Sequence, residues 1–92
     1  MDDVIKVLIL KDQTVLVTKI KEVSDYEIGE PDCVIIDPVL YNPDEELEKC
    51  MTRYPGKRIT SDTQMAILSD NILTMVEPES KLLAEYLIAI AD

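Results

Sequence analysis

The stretch Met65–Val76, Met-Ala-Ile-Leu-Ser-Asp-Asn-Ile-Leu-Thr-Met-Val, constrains this chain more than any other. Ser, Asp and Asn bond readily to their own backbone, and Asp and Asn tolerate left-handed conformations, so Ser69-Asp70-Asn71 reads as a tight polar turn between two strands. The second of these strands is apolar on both faces. Ile72 and Val76 point one way with Thr74 between them, while Leu73 and Met75 point the other. A strand apolar on both faces is normally covered on both. In so small a chain the second cover is either the ordinary core of a hairpin or another subunit.

Ninety-two residues make one domain, 1–92, with a modest core. The absence of Phe and Trp makes that core aliphatic. Nineteen acidic residues against nine basic ones give a net charge of −10, which opposes broad contact with nucleic acid or with an anionic membrane. Any nucleic acid would have to be held through a local basic patch, or through a pocket that reads bases rather than phosphates. Cys33 and Cys50 form no Cys-x-x-Cys pair and the chain has no His, so zinc sites of the usual kind are excluded on ligand count. Two buried thiols in a reducing compartment are expected, with a disulfide between them left open. The Met-Asp-Asp start lacks the basic segment of a signal peptide, and no apolar run reaches membrane-spanning length. The expectation is a cytoplasmic protein that is not secreted and has no membrane partner.

Val4–Leu10 is rich in β-branched and aliphatic residues and too short for a helix, so it reads as a strand. Lys11-Asp12-Gln13-Thr14 then turns the chain into a second strand over 15–23. There Leu16, Thr18 and Ile20 share one side, and Val15, Val17, Lys19 and Lys21 the other. This strand starts buried on both sides and becomes half-solvated. Residues 24–32 form a loop, and Cys33–Ile36 a third strand that Asp37-Pro38 bends or breaks, since Pro38 cannot donate to a ladder. Val39–Tyr41 is read as its continuation. Asn42, Pro43 and Glu45 look like the cap and first turn of a helix, followed by an apolar stripe at Leu47, Cys50, Met51 and Tyr54. A fourth strand is expected over about 65–68 and a fifth over 72–76. A C-terminal helix over about 79–91 follows, its apolar side carrying Leu82, Leu83, Tyr86, Leu87 and Ile90.

Without His, a Ser-His-Asp or Cys-His arrangement is impossible, and Gly29 and Gly56 are too isolated to form a phosphate loop. The acidic run Asp44-Glu45-Glu46-Leu47-Glu48 lacks the alternating ligands and turn glycine of a calcium loop and reads as a solvated helix start. No catalytic residue, metal site or cofactor is expected, and the chain is read as a non-enzyme. One basic cluster, Arg53-Tyr54-Pro55-Gly56-Lys57-Arg58, holds three of the nine cations beside an aromatic ring. Arg53, Lys57 and Arg58 are either phosphate contacts beside a stacking Tyr54, or cations gathered at a helix C-terminus by its dipole.

Five short strands ending in Ile67-Leu68-Ser69-Asp70-Asn71-Ile72-Leu73-Thr74-Met75-Val76 bring a family into view. That segment resembles the second sequence motif of the Sm-like (LSm) proteins, and Leu10–Ile20 resembles the first half of their first motif. The likeness is closest to the short Sm-like proteins of marine cyanophage origin, which would place the chain in a host cytoplasm if phage-encoded. It covers roughly residues 4–77. What the resemblance implies is a mainly β fold, a strongly bent five-stranded antiparallel barrel with a short helix between the third and fourth strands and an added C-terminal helix. It further implies a homo-oligomeric ring in which the fourth strand of one subunit pairs with the fifth of the next. Ile67, Leu68, Ile72, Leu73 and Met75 would then be interface residues. Single-stranded RNA would bind at the pore through Asp25, Tyr26, Ser69, Asp70 and Asn71, with Arg53, Lys57 and Arg58 as basic contacts, so that the ring acts as an RNA chaperone or adaptor. The chain departs from the family pattern at Gln13 and Thr18, where glycines stand, and at Leu68-Ser69, where an Arg-Gly pair stands. The alternative is a ring-shaped interaction or assembly module without RNA binding, docking a protein partner through its C-terminal helix.

Overall fold

A computed structural model of the chain describes residues 4–22, 27, 28, 30–42, 44, 50–56 and 58–91. The fold is mainly β. Six strands, β1 (Val4–Leu10), β2 (Val15–Glu22), β3 (Cys33–Tyr41), β4 (Met51–Arg53), β5 (Gln64–Ile67) and β6 (Ile72–Val76), form one antiparallel sheet, and one helix, α1 (Ser80–Ile90), follows. The sheet runs β4-β3-β2-β1-β6, and β5 also pairs with β3. β4 and β5 therefore share one flank of β3, β5 along Cys33–Ile36 and β4 along Val39–Tyr41.

Alternation assigns the core to two faces. Val7 lies opposite Val17 and Val17 opposite Val39, and this row is buried together with Tyr86 of α1, with Leu82 and Ile90 packed on it. Leu8 and Leu16 lie opposite one another on the other face, where they are buried with Leu10 and Ile35. Ile20, Leu40, Tyr54, Met65, Ile67 and Ile72 pack around them. Along β2, burial falls from Leu16–Thr18 to exposed Lys21 and Glu22, the half-solvated end that the sequence pattern predicts. Cys33 and Cys50 are buried thiols.

Asp37-Pro38 bends β3 without breaking it. The register passes from Val17 opposite Val39 to Lys19 opposite Ile36, so Asp37 and Pro38 together oppose the single residue Thr18. This is a bulge, which a proline without an N–H suits. Asp37 takes a positive φ of 50°. The buried Thr18 hydroxyl lies 2.9 Å from the carbonyl oxygens of both Ile36 and Lys19. Tyr86 donates its hydroxyl proton to the carbonyl of Asp37 at 2.9 Å, and the backbone N–H of Asp37 donates to the carbonyl of Thr63 at 2.7 Å. The polar groups that a bulge frees are thus taken up by side chains and by the next loop, as burial requires. The first turn needs a left-handed residue, and Gln13 supplies it at φ 74°. Gln13 donates its N–H to Leu10, and the Asp12 carboxylate accepts from the N–H of Thr14. The turn is thus made by Gln13, and the bend by the bulge of Asp37-Pro38 opposite Thr18.

Four expectations are corrected. Met65–Val76 is not a hairpin: β5 pairs with β3, β6 pairs with β1, and a 3-10 turn over Ser69–Asn71 separates them. The sheet has six strands rather than five and does not close on itself. The helix expected to run through Tyr54 gives way to strand β4 at Met51–Arg53, because the second half of β3 beyond its bulge offers an edge to pair with. Pro43 and residues 45–49 of that expected helix lie outside the described residues, while Asn42 does accept the N–H of Asp44 in a local turn. Finally, Leu87 is not on the packed side of α1; it is exposed, and Leu82, Leu83, Tyr86 and Ile90 alone face inward.

Candidate functional site at the Ser69–Asn71 turn

The turn between β5 and β6 sits where two flanks of the sheet meet. Lys11 donates its backbone N–H to Asn71 at 2.9 Å, which ties the turn to the end of β1. Asp32, just before β3, grips it from the other side. One carboxylate oxygen accepts the N–H of Ser69 at 2.7 Å, and the other accepts the Ser69 hydroxyl at 2.5 Å. The Ser69 hydroxyl, followed by its N–H, holds the Asp32 carboxyl below its ordinary value. Asp12 is lowered in the same way by Thr14. Burial pushes the neighbouring Cys33 thiol up, and the negative charges of Asp32 and Glu22 add to the rise. Cys33 is thus held as a thiol and is a poor nucleophile.

An open cavity lies on each side of the turn. One, of about 370 Å³, is lined along β5 by Met65, Ala66 and Ile67, and completed by Leu10, Ile35, Tyr54, Lys11, Asp12 and Asn71. The other, of about 480 Å³, runs beside β6, with Ile72, Leu73 and Met75 facing Glu22, Asp32, Cys33 and Ser69. Both are lined by apolar and polar side chains together, the second with the carboxylates of Glu22 and Asp32 beside Leu73 and Met75. Among the described residues no group of three His, Cys, Asp or Glu side chains is placed to hold a metal ion.

The structure brings Ser69, Asp70 and Asn71 together as an exposed turn. Asp25, Tyr26 and Lys57 lie outside the described residues. Arg58 is exposed, and Arg53 is half-buried on β4, beside Asp37, Met51, Ala89 and Ile90 in a small cavity of about 60 Å³. Its neighbour Tyr54 instead lines the cavity shared with Asn71, so Arg53 and Tyr54 serve different cavities. Of the expected interface residues, Ile67 and Ile72 pack on the inner core and Leu68 is half-buried, whereas Leu73 is 60% and Met75 46% exposed. The sequence reading missed Asp32, Lys11 and Asp12. Asp12 carried a local signal, a carboxylate two residues before Thr14 in a turn. Asp32 carried none, since only the pairing of β3 with β5 brings it to a residue thirty-seven positions away.

No helix among the described residues is long and apolar enough to cross a membrane. No curated protein matches the chain. A family model does match it, over residues 3–91 and so nearly end to end. The chain belongs to that family, DUF6561, a family of unknown function.

Proposed function

We propose that the chain is an Sm-like protein of the cytoplasm that assembles into a homo-oligomeric ring and takes single-stranded RNA at the ring pore. The observation that carries this reading is the placing of β5 and β6. They are neighbours in sequence, yet they pair with different strands, β3 and β1, and among the described residues neither has a partner along its outer edge. Unpaired edges invite pairing with another chain. A head-to-tail contact of β5 with β6 of the next copy satisfies both edges, and it ends in a ring if the rotation closes. Side chains support the same contact. Leu73 and Met75 project from β6, and the cavity along β5 offers the apolar walls of Leu10, Ile35, Met65 and Ile67 to receive them.

For RNA, the support is an exposed Asp70-Asn71 turn beside a cavity that holds Tyr54 and Lys11. An aromatic ring and an amide suit unstacked bases, which a chain of net charge −10 favours over phosphates. A second reading, the ring as an interaction module without RNA, is favoured by the hold of Asp32 on Ser69 and by Arg53 lying toward α1 rather than at the turn.

Two measurements decide. Leu73→Glu converts the assembly to smaller species in sedimentation while the chain keeps its folded circular dichroism; an unchanged mass for the folded variant rejects the proposed seam. RNA binding to the wild-type chain is then read across a salt series. Binding with a shallow salt slope that Tyr54→Ala abolishes supports the RNA reading, and no binding even at low salt leaves the interaction module.

A further inference from the structure

The outer side of α1 carries an apolar stripe that its packing on the sheet does not use. Ala84, Leu87, Ile88 and Ala91 fall at i, i+3, i+4 and i+7, on the face opposite Leu82, Leu83, Tyr86 and Ile90. All four are exposed, Leu87 by 46% and Ile88 by 71%. No charged residue occurs from Tyr86 to Ala91, in a chain where nearly a third of residues are charged. A helix that needs nothing but water on its outer side is ordinarily polar there.

The stripe is its own complement. Read from either end it runs small, large, large, small. Two copies laid antiparallel therefore set Ala84 against Ala91 and Leu87 against Ile88, with the alanines letting the helices approach closely. Such a contact is isologous. No acidic side chain lies along Leu87–Ala91, so two chains of net charge −10 meet there without opposing carboxylates; Lys81, three residues before Ala84, is the charge nearest the stripe. A single pair of such stripes uncovers far less than the roughly 800 Å² per partner of a stable interface. It becomes sufficient when several pairs act at once. A ring supplies that number, because α1 packs chiefly on β3 and β4 and leaves the outer edges of β5 and β6 clear.

We infer that the Ala84-Leu87-Ile88-Ala91 stripe docks on the same stripe of a second copy, stacking two rings helix-side to helix-side; the stacking rests on the ring reading above. Native mass spectrometry and sedimentation of the full chain test it with Ile88→Glu, the milder Ala84→Glu and the seam variant Leu73→Glu. Both helix positions face water within one chain, so both variants are expected to stay folded and keep the wild-type circular dichroism. The wild type is expected at twice the ring mass, with Ile88→Glu and Ala84→Glu each halving it. Folded helix variants that retain the wild-type mass overturn the inference, as does a wild type found only as single rings or monomers. The two failures are told apart. If Leu73→Glu breaks the assembly while the helix variants change nothing, the ring stands and the stacking falls. If the helix variants halve the mass while Leu73→Glu changes nothing, the ring falls and the stacking of rings falls with it, leaving α1 as the contact of a different assembly.

Discussion

Under α1, the row of Val7, Val17 and Val39 is closed by a side chain of the same molecule, Tyr86, which is wholly buried and anchored by its hydroxyl to the carbonyl of Asp37. On the opposite face Leu8, Leu10, Leu16 and Ile35 are just as buried at their centre, but the rim made by β5 and β6 stays open and Leu73 and Met75 project from it. The first face is finished within one chain. The second is finished at its middle and left incomplete at its margin, where the 3-10 turn keeps the two strands apart. On the assembly proposed above, an incoming chain would find apolar surface there beside strand edges that have no partner among the described residues.

The largest effect should fall on the finished face. Tyr86→Ala removes a buried aromatic ring and is expected to destabilise by about 3–5 kcal/mol in urea unfolding. Tyr86→Phe keeps the ring but leaves the bulge carbonyl short of a donor, for a loss of about 1–3 kcal/mol. Leu73→Ala, on the open margin, should change monomer stability by no more than about 0.5 kcal/mol. A Leu73→Ala loss as large as that of Tyr86→Phe would break the contrast between the two faces.

Acid should act on the margin next. Asp32 is held below its ordinary 3.8 when folded, so below that value the unfolded chain binds a proton that the folded chain resists. The grip on Ser69 therefore contributes in full above the ordinary value and is lost as pH falls through the lowered one. Melting temperature should fall over that window, and less steeply in Asp32→Asn. Equal slopes would mean that the Ser69 contact does not tie the turn down. Asp12, lowered by Thr14, adds to the wild-type slope with the same sign.

The smallest effect is a gain. Gln13 holds a φ of 74°, which glycine adopts without a clash. Gln13→Gly should stabilise by about 0.5–1 kcal/mol, the left-handed strain relieved less the extra chain entropy. A loss instead would show that the Gln13 side chain contributes contacts that outweigh the strain.

Much of the sheet could be read from the residues. Val4–Leu10, the turn at Lys11–Thr14 and the alternation in Leu16–Ile20 are local patterns, and local patterns name strands and faces. The bend at Asp37-Pro38 was equally visible, because a proline inside a strand leaves few alternatives. The turn at Ser69–Asn71 was marked by its residue types. The strand at Met51–Arg53 was not, since its three residues carry no period of their own and a helical stripe ran across them. Asp32 and Lys11 came to the site without any local sign.

The sequence by itself determined that this chain is mainly β, aliphatic in its core and strongly acidic, and that Met65–Val76 carries more apolar surface than one buried face can use. Only the tertiary structure decided where that surface goes. Whether two consecutive strands pair with each other or with more distant ones depends on which edges are left once β1, β2 and β3 have paired, a competition between long-range partners that no window of residues records. Here the bulge at Thr18 and Asp37 bends the sheet, β5 takes the free flank of β3 and β6 the free flank of β1, and the apolar surplus of the stretch ends at an open margin.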